Sequence, residues 1–153
     1  MIDSDGVHSD HITSGCIRTS TERPVSERLG EIFREVAEII DSFRPTEMAI
    51  EQVFVAKNAS SALKLGQARG AAICAGVVAG LPVSEYSPRM IKQSVVGTGK
   101  AEKEQVQHMV KLILGLNGKL VADQADALAV ALGHAHSNTT LRNLGAMRGV
   151  GSG

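Results

Sequence analysis

Leu29, Ile32, Phe33, Val36, Ile39 and Ile40 recur at three- and four-residue intervals. That is the spacing of one helical face, and it predicts an amphipathic helix from Arg23-Pro24 to Phe43. Pro24 suits a first turn. Glu27, Glu31, Glu35 and Glu38 fill the wet side with Arg28 and Arg34. Arg44-Pro45 ends the helix, because a residue before proline disfavours the α conformation. The rhythm then changes. A short apolar run, Met48 to Ile50, lies between Pro45-Thr46 and a polar loop, and predicts a buried strand. Asn58 can cap a second helix running to about Ala79. Its apolar residues Leu63, Leu65, Ile73, Val77 and Val78 occupy more than one side. It also carries Gly66, Gly70 and Gly76, each costing ~1 kcal/mol against alanine inside a helix. Such a helix either lies deep in the core or packs on its own sheet and on a partner.

Leu81 to Tyr86 predicts a short strand, and Pro88 to Gln93 a helical turn carrying Arg89 and Lys92. Val95 to Lys100 is expected to be a flexible glycine loop. Ala101 to Leu114 predicts a helix with Val106, Met109, Val110 and Ile113 inward. Val121 to His136 predicts the last helix, buried by Leu128, Val130, Ala131 and Leu132. Residues 137–153 are polar and glycine-rich, and are expected to form a flexible tail. At the other end, Ile2 to Val7 looks like a β-hairpin turn built on Asp5-Gly6. His11 to Thr19 would be its returning strand, while the incoming strand has at most two residues. The order of elements predicts one α/β domain over residues 1–136, a mixed sheet flanked by helices.

Composition changes this picture little, and charge distribution changes it more. Only 3% of the 153 residues are aromatic, so the core is built from Ala, Val, Leu and Ile. Sixteen acidic and sixteen basic residues balance, and net charge alone implies no nucleic-acid partner. Residues 1–56, however, hold eleven acids and five bases, whereas residues 57–120 hold nine bases and three acids. A segregated middle can present a basic face, or simply a set of solvated helix faces. Cys16 and Cys74 stand alone and read as small buried thiols in a reducing cytoplasm. The longest apolar stretch, Ala71 to Pro82, is too short to span a bilayer, so no membrane partner is expected.

Three carboxylates carry the candidate chemistry. Glu51 sits where an apolar strand ends, the place where ligands bind in open α/β sheets. Asp123 and Asp126 are three apart, hence on one face of a helical first turn. There the helix dipole favours negative charge, and ordinary helix-start chemistry explains them as well. Together, hard oxygen ligands of this kind suit Mg²⁺. Two such ions ~3.5–4 Å apart would clamp the attacking and leaving oxygens of a phosphodiester hydrolysis. Lys92 and Lys103 lie in the basic middle and could hold phosphates. Phe54 sits in a polar loop three residues after Glu51. It suits base stacking, worth ~1–3 kcal/mol per base, or else anchors its loop in the core. His134 and His136, near a helix end, complement its dipole better than they bind metal. The glycines of residues 97–99 match no nucleotide-binding loop.

The run Ile50-Glu-Gln-Val-Phe-Val-Ala-Lys-Asn-Ala-Ser-Ser-Ala-Leu-Lys-Leu-Gly-Gln-Ala-Arg-Gly70 closely resembles the RuvC family of Holliday-junction resolvases. So do Ile91-Lys-Gln-Ser-Val-Val-Gly-Thr-Gly-Lys-Ala-Glu-Lys103 and Ala122-Asp-Gln-Ala-Asp-Ala-Leu-Ala129, and Ser14-Gly-Cys-Ile-Arg-Thr19 also fits. The resemblance runs from residue 2 to about 136. It implies a ribonuclease-H-like fold and a homodimer that nicks four-way DNA junctions symmetrically with Mg²⁺, in recombination and repair. Glu51, Asp123 and Asp126 would be catalytic, metal-holding carboxylates. Phe54, Lys92 and Lys103 would contact DNA, and the helix from Asn58 would form the dimer. Implied partners are a branch-migration ATPase and its junction-binding subunit, in the cytoplasm. Family members open with a central strand bearing Asp-Pro-Gly, whose aspartate is a fourth carboxylate, and this chain has no such motif. The sequence therefore predicts an N-terminally truncated fold with its first central strand absent, a misplaced start at Met1, and a chain that binds junctions weakly without cutting them efficiently.

Overall fold

In chain order the elements are β1 (Ile2–Ser4), β2 (Ser9–His11), α1 (Val25–Phe43), β3 (Met48–Glu51), α2 (Ala59–Val78), β4 (Val83–Tyr86), α3 (Pro88–Val96), α4 (Lys103–Ile113) and α5 (Ala122–Gly149). This computed structural model describes residues 1–53 and 58–149, with backbone alone for residues 138–149. Two compact units are formed, one by Cys16–Ser87 and one by Met1–Gly15 with Pro88–Gly153.

The Cys16–Ser87 unit is built on a parallel pair, Met48 opposite Val83 through Glu51 opposite Tyr86. Hydrogen bonds continue the ladder beyond both ends, from Met48 N to the Pro82 carbonyl at 2.9 Å and from Gln52 N to the Tyr86 carbonyl at 2.8 Å. Helix α2 covers this pair and packs on α1. Its N-terminus is capped as the sequence predicts, the Asn58 side chain accepting from Ser61 N at 3.2 Å. Its buried residues are Ala75 and Gly76. Leu63, Leu65, Val77 and Val78 of α2 stay outside, Leu63 and Val78 being 65% and 77% exposed, while Ile73 is half-buried. A Cβ on Gly66 or Gly70 would meet nothing within 4 Å among the described residues, so no packing seen there requires these two glycines. Helix α1 stops at Arg44, whose N–H bonds back to the Ile40 carbonyl at 2.8 Å just before Pro45.

The second unit holds the best-buried core. Leu128 and Leu132 of α5 and Val110 of α4 are almost wholly enclosed, with Ile91 and Val95 of α3 and Val106 of α4 around them. Gly133 of α5 faces α3, where a Cβ would make ordinary contact with Ile91 Cα and Ser94 Cβ at 3.7 Å. The β1–β2 hairpin pairs Ile2 with His11 through Ser4 with Ser9.

Several expectations change. The strands form two separate two-stranded sheets among the described residues, not one mixed sheet. The hairpin returns earlier than expected, at Ser9, because the Asp5 carboxylate accepts from both Val7 N and His8 N at 2.7 Å and closes the turn there. Those two bonds also lower the Asp5 pKa. Helix α3 runs on to Val96, since Val95 is buried against the core. Helix α4 starts at Lys103 rather than Ala101, which is instead buried in the preceding connection. Helix α5 continues past His136 to Gly149, no proline or glycine interrupting residues 137–144. His136 is therefore not at a helix end; its Nδ1 bonds to the Ser94 carbonyl at 3.1 Å. Cys16 and Cys74 are exposed, not buried. Position 74 is turned about 100° from the buried Ala75 on α2.

Gly76 is where α2 comes closest to the strands. A Cβ there would sit 2.5 Å from Met48 Sδ and 3.4 Å from Val83 Cγ2. Gly76→Val is therefore expected to lower stability by ~1–3 kcal/mol through overpacking. A chemical denaturation midpoint unchanged by that substitution would show the helix free to move off the strands.

Candidate functional site

Glu51 is the last residue of β3, and its side chain is exposed. Its backbone is gripped from α2: Arg69 Nε donates to the Glu51 carbonyl at 2.9 Å. The same guanidinium ion-pairs through its second nitrogen with Glu85 of β4. One planar fork thus ties the ends of both strands to one helix, a geometry that lysine's point charge does not reproduce. Tyr86, opposite Glu51 in the ladder, has its phenol pKa raised by burial; a hydrogen bond with Ser84 opposes that shift and the charge of Glu47 adds to it.

Asp123 and Asp126 lie at the start of α5, in the other unit. Between them Gln124 anchors the turn. Its Oε1 accepts from Val121 N at 3.4 Å, and its Nε2 donates to the Ser14 carbonyl at 3.3 Å. Ala125, the next residue, is completely buried. The two aspartates are thereby aimed outward from a turn that is fixed on its inner side. Lys103, the first residue of α4, reaches across to Asp126, Nζ to Oδ2 at 3.0 Å. With side chains 54% and 47% exposed, this pair contributes only ~0–1 kcal/mol to stability. Lys92 lies on α3, half-buried, in the same unit.

The predicted site residues thus divide. Asp123, Asp126, Lys92 and Lys103 share one unit, and Lys103 and Asp126 are in contact. Glu51 belongs to the other unit, with Arg69 and Glu85. Phe54 lies outside the described residues. Among the described residues, no three acidic, histidine or cysteine side chains form a group able to hold a metal ion. The donor chemistry nonetheless fits a hard cation, since each candidate offers carboxylate oxygens at the surface. Two residues that sequence reasoning did not single out carry structural consequence. Arg69 stands inside a motif read for its glycines, and Gln93 inside one read for its lysines. A usable signal for Arg69 was Glu85, an acid on a short strand that needed a partner.

Comparison with known proteins matches residues 1–134 to the family described as crossover junction endodeoxyribonuclease RuvC. A relative of that description from Marinobacter nauticus is 57% identical over 141 residues, covering 92% of this chain and 80% of the relative. Two solved structures are also similar, each 37% identical. One is the RuvC of Thermus thermophilus, with a TM-score of 0.82 over 92% of this chain and 86% of that one. The other is the T. thermophilus RuvC in complex with Holliday junction substrate, with a TM-score of 0.84 over 90% of this chain and 84% of that one. A family match over most of the chain, joined to the same ribonuclease-H-like fold, places this chain in the RuvC family of crossover junction endodeoxyribonucleases.

Proposed function

We propose that this chain resolves four-way (Holliday) DNA junctions by Mg²⁺-dependent, symmetric phosphodiester hydrolysis, acting as a homodimer in recombination and repair. The observation that carries this reading is the Lys103–Asp126 contact at 3.0 Å. It sets a phosphate-binding cation beside a cation-binding carboxylate, the two charges that metal-assisted cleavage of DNA requires. The solved complex of a similar RuvC with a Holliday junction supports the substrate.

Nucleases of this family depend on a metal ion, and carboxylate oxygens favour Mg²⁺ among the common candidates. The candidate carboxylates for it are Glu51 in one unit and Asp123 and Asp126 in the other. Bound there, it would supply charge stabilisation at the scissile phosphate and an activated water. The chain's own part is positional. Gln124 and Ala125 fix the turn that presents the two aspartates, and Arg69 fixes the backbone of Glu51. Lys103 pairs with Asp126 at 3.0 Å, and a cation held by that carboxylate would leave the ammonium for a phosphate. Lys92 adds to the same basic rim, and Phe54 would engage junction bases by stacking. The dimer reading rests on α2, whose Gly66 and Gly70 face open space beside the exposed Leu63 and Leu65. A branch-migration ATPase with its junction-binding subunit would deliver the DNA in the cytoplasm. Among the described residues no helix is long and apolar enough to cross a membrane.

A second reading is junction binding without cleavage. The ion pair favours it, because an aspartate held by lysine offers one fewer charge to a metal.

Four outcomes test these readings. In a gel shift at moderate salt, the chain is expected to prefer a four-way junction over linear duplex; equal affinity would sink the resolvase reading. With Mg²⁺, Glu51→Gln, Asp123→Asn and Asp126→Asn are each expected to reduce nicking to background while binding persists. Nicking by Asp123→Asn at the parent rate would make that residue a helix-start acid only, and a parent chain that binds but never nicks would favour the second reading. Arg69→Lys is expected to cost ~10–100-fold in nicking, with junction affinity kept, as for residues that orient a metal's ligands. Equal losses in binding and nicking would assign Arg69 to the fold instead. Gly70→Leu is expected to yield monomers in sedimentation and to abolish paired nicking. A dimer surviving that change would move the interface away from α2.

A further inference from the structure

The connection between α3 and α4 is rich in glycine and yet held at several points. Gly97 turns the chain out of α3 with φ 89, a left-handed conformation that suits glycine. The Gln93 side chain then spans the loop like a rung. Its Nε2 donates to the Gly97 carbonyl at 2.7 Å, and its Oε1 accepts from Gly99 N at 3.1 Å. Lys100 N donates to Thr98 Oγ1 at 3.3 Å. Arg89 lies over Gly99, where a Cβ would fall 2.6 Å from Arg89 Cγ and 3.3 Å from its carbonyl oxygen. Ala101 anchors the far end at 2% exposure.

This bracing does not serve the core, because Gln93, Gly97, Thr98 and Lys100 are all exposed. It fixes the spacing of charges. Residues 89–103 carry Arg89, Lys92, Lys100 and Lys103 against one acid, Glu102, which opens α4. Lys100 stands on the braced loop between Lys92 of α3 and Lys103 of α4. Left free, a loop with two glycines would spread Lys100 over many positions, and ordering it on binding would cost conformational entropy.

We propose that Gln93 is a positioning residue: by clamping the Gly97–Lys100 loop it holds Lys100 in place to contact a DNA backbone phosphate beside Lys103. This rests on the junction-cleaving reading and extends it to a residue that touches no substrate. Its consequence is electrostatic. Each phosphate contact contributes about one unit to the slope of log affinity against log salt. Gln93→Ala leaves every positive charge in the chain, yet releases Lys100 from its place.

The test measures junction affinity of the full chain across a salt series for Gln93→Ala, Lys100→Ala and the double variant. Lys100→Ala is expected to weaken binding and flatten the slope by about one. Gln93→Ala is expected to approach the same flattening, and the double variant to add nothing beyond Lys100→Ala alone. Such non-additivity marks residues acting through one contact, and a general loss of stability does not produce it. Additive effects, or a slope unchanged in either single variant, would overturn the proposal. Should Gln93→Ala fail to fold, Gly99→Ala reaches the loop from the Arg89 side and carries the same expectation. A parent chain that binds junction and linear duplex alike would sink the junction reading separately, and the slope coupling is then read on duplex.

Discussion

Strands β3 and β4 meet over four residues each, and a parallel pair so short holds only when something covers and ties it. Helix α2 supplies both functions. Gly76 allows the helix backbone to settle on Met48 and Val83. One helical stretch earlier, Arg69 reaches the far end of the ladder and joins the Glu51 carbonyl to the Glu85 carboxylate. The register fixes the consequence. Glu51 can be presented at the end of β3 only while Met48 to Ile50 stay paired with Val83 to Glu85, because a slip of one residue would send its side chain to the other face. The position of the candidate carboxylate is therefore a product of helix–strand packing.

The other acidic site obeys a different constraint. Asp123 and Asp126 stand near the N-terminus of a long helix, where acidic residues complement the helix dipole. A helix start needs only one such acid, and Asp126 is matched by a lysine from the start of α4. At the exposures of this pair, solvent screens most of its energy, and its removal costs the fold little. A contact that adds little to stability but holds opposite charges 3.0 Å apart is well suited to exchange one partner for another. Buried pairs lack that freedom, since separating them leaves a desolvated charge.

The sequence made helices legible wherever apolar spacing was strict, as in Leu29 to Ile40 and Val106 to Ile113. Asn58 revealed the start of α2 because its side chain has a cap to make. The aspartates and Glu51 were legible as acids at element ends, but their environment was not. Gln93 went unnoticed because its partners are backbone atoms set by tertiary structure, and Arg69 because one of its two partners is a backbone carbonyl, which has no signature in a sequence. The loop after α3 was misjudged for the same reason: Gly97 and Gly99 announce freedom, while the Gln93 amide that removes it looks like any polar residue on a helix. The cysteines misled by residue type. Free cysteine is usually buried, yet the phase of α2 gives the inner position to Ala75 and leaves Cys74 outside. The length of α5 was underestimated from composition, since polar residues without proline continue a helix already nucleated by a buried core.

One device recurs in both units. Arg69 and Gln93 take hold of main chain, not of the side chain to be presented. Arg69 grips the carbonyl of Glu51, and Gln93 grips the carbonyl of Gly97 and the amide of Gly99. This matters for a surface that must meet a polyanion and a cation. A carboxylate or an ammonium paired in the protein interior is harder for a ligand to recruit than one paired at the surface. Fixing the backbone beneath such a group restricts where it can go without using the group's own polar atoms for that purpose. The cost falls on a guanidinium and an amide, groups with donors to spare. Position at the surface is thereby set in part by polar side chains that hold main chain, on α2 for the end of β3 and on α3 for the loop that follows it.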